Sequence, residues 1–325
     1  MQLVDTFGRT INYLRLSVTD RCNLRCHYCM PDKGVEKLAH GDILSYEELL
    51  LIARTAVQLG VEKVRVTGGE PLVRRGITSF LARLAGLPGL RHLVLTTNGL
   101  LLAELAADLR HAGVQRVNVS LDSLDPATFA AITRGGDLAR VLAGLAAADS
   151  AGLPLKLNMV VMRGVNDAEI EAFARLTLES PFAVRFIEYM PTLQDSGWQE
   201  QIVPGSEILE RLAKRFRFAL VDRGPYAGPS QDFRIEGARG TFGIITPVSG
   251  HFCSDCNRIR VTAAGEARSC LFSAAGIDLK PFLRPEDGEG LREALRRLVE
   301  EKPHRHGMNR CGCEHEPFVM AKIGG

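Results

Sequence analysis

Between residues 11 and 190 the chain alternates between two hydrophobic periods. Short runs with apolar residues at every second position predict strands over Asn12–Val18, Lys63–Thr67, His92–Thr97, Arg116–Leu121, Leu155–Val161 and Ala183–Glu188. Between them, apolar residues recur at helical spacing over 45–59, 75–86, 100–112, 137–151 and 168–178. The first helix has a start signal, because Ser45 and Glu48 form a capping box ahead of Leu49, Ile52, Ala53, Ala56 and Leu59. Asp125–Pro126 supplies an N-cap and a first-turn proline for a short extra helix. Six strand–helix units with right-handed crossovers predict a parallel sheet, two units short of a closed eight-stranded barrel.

The two faces of these strands differ. Leu14, Leu16 and Val18 share one parity, and Arg15, Ser17 and Thr19 the other. The same division separates Val64 and Val66 from Arg65 and Thr67, and Leu155, Leu157 and Met159 from Lys156 and Asn158. One face therefore suits a covering layer of helices. The other is too polar for the packed interior of a closed barrel. These patterns predict an α/β fold, an incomplete (βα)6 barrel open enough to hold a polar ligand. Arg15, Arg65 and Lys156, with Arg185 nearby, make that face basic and suited to a polyanion such as a nucleoside triphosphate. The alternative is a set of internal ion pairs with acids such as Asp122 and Glu188.

Beyond about residue 195 glycine and proline become frequent, strands shorten and the βα alternation stops. Residues 1–228 are thus expected to form the barrel domain, and 229–325 a smaller α+β C-terminal extension. Composition is that of a globular protein, with 46% hydrophobic and 24% charged residues. A net charge of +2 gives no global case for binding nucleic acid. No secretory leader and no membrane span are legible, so the expected location is the cytoplasm.

The eight cysteines cluster at 22, 26 and 29, at 253, 256 and 270, and at 311 and 313. In a reducing compartment such groups more often bind metal than form disulfides. Cys22-x-x-x-Cys26-x-x-Cys29 directly follows the first strand and offers three thiolates, the natural ligands of an iron–sulfur cluster, with one iron left open. A structural zinc site would need a fourth ligand, for which His27 is the local candidate.

This loop, with Tyr28 before its last cysteine and Gly68-Gly69-Glu70-Pro71 after the second strand, resembles the radical S-adenosylmethionine superfamily. The second set, Cys253, Cys256 and Cys270, could be read alone as a zinc ribbon lacking a ligand. Together with Asn257-Arg258-Ile259-Arg260 and a terminal Gly324-Gly325, it narrows the resemblance to the GTP 3′,8-cyclase family, over essentially the whole chain. Tyr-Leu-Arg-Leu-Ser at 13–17, Thr-Thr-Asn-Gly at 96–99 and Arg-Phe-Ile-Glu-Tyr-Met at 185–190 carry the same resemblance.

The resemblance implies two 4Fe–4S clusters, the first on Cys22, Cys26 and Cys29 and the second, carried by the C-terminal extension, on Cys253, Cys256 and Cys270. It implies S-adenosylmethionine contacts at Tyr28, Gly69, Ser120 and Met190. GTP contacts are implied at Arg15, Arg65, Thr96, Lys156, Arg258, Ile259 and Arg260. Gly324 and Gly325, reaching the active site from the tail, and Arg15 are the expected catalytic residues. The implied reaction is radical cyclisation of GTP, the first step of molybdenum cofactor biosynthesis. The implied partners are an external one-electron donor and a downstream cyclic pyranopterin monophosphate synthase, with the chain a monomer or homodimer. Two features depart from the family pattern: Asp255, where a small uncharged residue is usual, and the Cys311/Cys313 pair, read first as a bystander. The competing readings are a peptide-modifying radical enzyme with an auxiliary cluster, and a non-catalytic electron carrier or zinc-stabilised binding module.

Overall fold

The computed structural model describes residues 2–190, 192, 197–222, 228–250, 252–273, 276–306 and 318–324. Six parallel strands form its centre: β1 (Tyr13–Ser17), β2 (Lys63–Thr67), β3 (His92–Thr97), β4 (Arg116–Ser120), β5 (Leu155–Val161) and β6 (Ala183–Glu188). The helices that return the chain are α1 (Tyr46–Gln58), α2 (Ile77–Ala85), α3 (Leu102–His111), α4 (Pro126–Thr133), α5 (Leu138–Ser150) and α6 (Ile170–Glu179). The expected caps are present. Ser45 Oγ accepts from the Glu48 amide and the Glu48 carboxylate accepts from the Ser45 amide, while Asp125 accepts from the Thr128 amide ahead of Pro126.

Residues after the sixth strand rejoin the same sheet. The chain passes through α7 (Gly205–Ala213), β7 (Phe218–Leu220), β8 (Gln231–Ile235), β9 (Thr241–Ile245), β10 (Arg258–Val261), β11 (Glu266–Arg268), β12 (Ile277–Asp278) and α8 (Gly288–Glu300). It ends in the short tail helix α9 (Met320–Ile323). β9 pairs in parallel with β6, and β10 in parallel with β1. The sheet order is β12-β11-β10-β1-β2-β3-β4-β5-β6-β9-β8-β7. The six expected parallel strands are thus flanked by one further parallel strand on each side, which short βα-free segments gave no periodic reason to expect. The order does not close on itself, so the barrel is open.

The apolar parity of the central strands supplies the core. Leu14, Leu16, Val64, Val66, Val117, Val119, Leu157 and Met159 are fully enclosed beneath the helical layer. At roughly 25 cal/mol per Å² of apolar surface removed from water, this layer is the main stabilising contribution. α3 packs on α5, and α8 packs on α1. The concave face is thereby left to the polar residues. Among the described residues no helix is long and apolar enough to cross a membrane.

Candidate active site

The first group of candidate residues lies at the carboxyl ends of the parallel strands, the edge where open α/β sheets bind ligands. From Ser17 the chain runs into the loop of Cys22, Cys26 and Cys29, three half-buried free thiols. The amides of Cys29 and Met30 both donate to the Cys26 carbonyl, at 2.9 and 3.2 Å, and so curl the loop. Burial pushes the Cys22 thiol up to about 11 and the Cys29 thiol up to about 12, the latter helped by the Cys22 sulfur. Cys26 is also driven upward, by burial first and then by Asp122 and both other sulfurs. Three thiols that oppose one another's ionisation become a thiolate set only around a positively charged group.

The glycines of Gly68-Gly69 have a structural partner in that loop. A Cβ on Gly69 would sit 2.5 Å from the Arg21 carbonyl oxygen, and one on Gly68 2.7 Å from that of Thr19. The Gly69 and Glu70 amides donate to the carbonyls of Thr19 and Arg21, at 2.7 and 2.8 Å. The close approach expected toward a ligand is thus made first to the cysteine loop itself. Glu70 is buried, its carboxyl lifted to about 7 by that burial, and it accepts from the amides of Leu72 and Asn98 and from Thr97 Oγ1. Tyr28 donates its hydroxyl to Asp122 at 2.7 Å. Ser120 closes β4, and Met190 is half-buried just beyond β6. The residues expected at S-adenosylmethionine share this edge.

Below it, Arg15, Lys63, Arg65, Arg116, Lys156 and Arg185 line one cavity of about 160 Å³ on the concave face. Thr96 is the register partner of Asn118, and Asn118 that of Lys156. Lys63, Arg116 and the buried Tyr13 were missed in the sequence. Each opens its strand with the same parity as Arg65, Asn118 or Arg15, so carrying the alternation back to the first strand residue finds them. The charges crowd. Lys156 is pushed down to about 6, by burial first and then by Arg185 and Arg116. Burial, with Arg116, Arg185 and Arg258 nearby, lowers Arg65 to about 10.

The ion-pair alternative is not what the structure shows. Asp122 serves Tyr28 and the Val160 amide, and Glu188 serves the amides of Gly205, Val248 and Ser249. Arg185 does reach Asp232, at 3.3 Å. Yet the Nε–H groups of Arg65, Arg116 and Arg185 are buried without a hydrogen-bond partner. Buried donors of this kind call for an acceptor that is not part of the chain.

The second cysteine set adjoins the cavity. Cys253–Asp255 form a single 3-10 turn, closed by the Cys256 amide on the Cys253 carbonyl at 3.2 Å. β10 follows at once and sets Arg258 opposite Tyr13 and Arg260 opposite Arg15. Burial alone would raise the Cys256 thiol, but Arg258 and Lys302 outweigh it and bring the group to about 6. Cys253 and Cys270 lie close enough to influence each other electrostatically. Ile259 shares the strand of Arg258 and Arg260, but its side chain does not share their face. It is register partner to Leu14 and fully buried in the apolar core, so its side chain faces away from its neighbours Arg258 and Arg260. Strand alternation excludes that side chain from the basic face. Asp255 is exposed. Among the described residues no three His, Cys, Asp or Glu side chains converge as ligands of one metal ion. In a cluster, each thiolate binds a different iron.

The tail enters this site. Phe318 donates its amide to Thr192, whose hydroxyl donates to the Tyr28 carbonyl, and the Met320 amide donates to the Cys29 carbonyl at 3.2 Å. Gly324 then reaches the sheet with φ +85°, its carbonyl accepting from Arg260 Nη1 at 3.3 Å. A Cβ there would stand 2.8 Å from that of Ser17. Gly325, Cys311 and Cys313 lie outside the described residues.

A family model described as the radical SAM superfamily matches residues 16–177, and one described as Molybdenum Cofactor Synthesis C matches residues 182–308. The chain is 66% identical to a GTP 3′,8-cyclase of Geobacter sulfurreducens over the full length of both. It is 49% identical to a GTP 3′,8-cyclase of Pelotomaculum thermopropionicum, covering 94% of this chain and 95% of that one. The crystal structure of Streptococcus suis SuiB bound to S-adenosylmethionine shares the fold with a TM-score of 0.60, at 15% identity, covering 94% of this chain and 79% of that one.

Proposed function

The chain belongs to the GTP 3′,8-cyclase family of radical S-adenosylmethionine enzymes, and from that premise we propose how its residues divide the work of cyclising GTP. The product is (8S)-3′,8-cyclo-7,8-dihydroguanosine 5′-triphosphate, formed in the first step of molybdenum cofactor biosynthesis. Cys22, Cys26 and Cys29 would hold one 4Fe–4S cluster and Cys253, Cys256 and Cys270 a second, with Tyr28, Gly69, Ser120 and Met190 at S-adenosylmethionine. When bound, the first cluster with S-adenosylmethionine supplies the 5′-deoxyadenosyl radical that removes the ribose 3′ hydrogen.

The observation that carries the reading is the group of buried, unpartnered arginine Nε–H groups lining the concave-face cavity. Planar guanidinium forks donate paired hydrogen bonds to phosphate oxygens. Arg15, Arg65 and Lys156, joined by Lys63, Arg116 and Arg185, bind the triphosphate, and Thr96 lies along the same face. Arg258 and Arg260, on the strand that leaves the second cysteine set, orient the guanine end. Holding the substrate between the two edges places the ribose toward the cofactor and replaces a chance encounter by a fixed one. Gly324 and Arg15 complete the enclosure, and the tail excludes water from the reacting carbon. Residues 1–228 carry the radical-generating cysteines and most of the triphosphate site, and 229–325 carry the second cysteine set with Arg258 and Arg260. An external one-electron donor reduces the enzyme, and a cyclic pyranopterin monophosphate synthase consumes the product.

Anaerobic reconstitution followed by dithionite, S-adenosylmethionine and GTP tests this. About eight irons per chain and a cyclised GTP product are expected. Deoxyadenosine formation that ignores GTP would overturn the reading.

A further inference from the structure

Lys302 follows the C-terminus of α8 and is buried, only 3% exposed. Its Nζ donates to two backbone carbonyls, those of Arg258 at 2.9 Å and Ser269 at 2.5 Å. These carbonyls belong to the segments leaving Cys256 and entering Cys270, so one ammonium ties together the two stretches that carry Cys253, Cys256 and Cys270. Among the described residues it has no carboxylate partner. Arg258 is adjacent and adds positive charge, while the sulfurs of Cys256 and Cys270 favour its charged form.

A buried ammonium beside an arginine is strongly disfavoured unless an anion shares the space. An iron–sulfur cluster held by three thiolates is such an anion, and it becomes more negative on reduction. Resting on the reading that Cys253, Cys256 and Cys270 hold the second cluster, we propose that Lys302 is a positioning residue for that cluster, acting as its counter-ion and as the tether of its ligand segments. It therefore sets how firmly the cluster is held and how readily it is reduced, without touching GTP. A positive charge at this place favours the reduced form.

The test uses the full chain carrying Cys22→Ala, Cys26→Ala and Cys29→Ala, so that only the second cluster contributes. Iron and sulfide are counted after anaerobic reconstitution, and the midpoint potential is read by spin-resonance-monitored titration. This parent should hold roughly four irons. Lys302→Met on that background should lose iron or shift the potential to more negative values, and Lys302→Arg should return both toward the parent. Thermal unfolding of the iron-free chains accompanies these measurements. Iron content and potential unchanged in Lys302→Met would overturn the proposal. So would an equal loss of stability with and without iron at an unshifted potential, because the lysine would then act only on folding. A parent that binds no iron would instead remove the second-cluster reading, and the proposal with it.

Discussion

Arg260 Nη1 donates to the carbonyl oxygen of Gly324, 64 positions away in sequence, across the mouth of the open barrel. This single contact ties the tail to the strand that leaves the second cysteine set. It also makes the tail testable.

Gly324→Ala places a methyl group 2.8 Å from the Ser17 Cβ at a backbone with φ +85°. Both effects expel the tail, since left-handed backbone and overpacking each cost about 1–3 kcal/mol. Cyclisation should fall by at least tenfold while iron content and melting temperature stay near wild type. Product assay, iron count and calorimetry check the three together.

Lys156, held near 6 in the free cavity, is largely uncharged above neutral pH. Bound triphosphate raises its pKa, so binding takes up a proton. GTP affinity should therefore decline as pH rises from about 8 to about 9, where the triphosphate is almost fully ionised. Titration calorimetry in buffers of differing ionisation enthalpy reads the proton directly. Lys156→Met should remove this part of the pH slope.

Neighbouring substitutions in β10 should separate stability from binding. Ile259→Ala deletes a fully buried core side chain and should cost about 2–5 kcal/mol of stability. GTP affinity should change little. Arg260→Met should do the reverse, weakening GTP binding with a stability change within about 1 kcal/mol. Denaturant melts and equilibrium GTP binding distinguish the two.

Arg9 pairs with Asp5 at 2.5 Å in a buried ion pair and donates to the carbonyls of Cys253 and Pro303, at 2.6 and 2.8 Å. Arg9→Met strands a buried carboxylate and frees the segment ahead of the tail. A loss of about 3–5 kcal/mol is expected, seen as a melting temperature several degrees lower. Asp5→Asn in addition should recover part of it.

The sequence by itself determined the central architecture and the chemistry of its loops. Period-two runs placed four of the six central strands at their observed ends, and Ser45 and Asp125 marked helix starts, because these signals depend on residues within a few positions of one another. Parity alone assigned Arg15, Arg65 and Lys156 to one face, and the resemblance supplied the role of the cysteines. Tertiary structure decided what depends on distant partners. β9 and β10 flank the parallel core through pairings that no local pattern encodes. The Ile259 side chain faces the core because β10 aligns it with Leu14, although the motif around it suggested a ligand contact. Gly68 and Gly69 fit the backbone of the cysteine loop, and Lys302 reaches two cysteine-bearing segments, only once the chain is folded. Local periodicity fixes which way a side chain points. What it meets there is fixed by contacts between segments far apart in the chain.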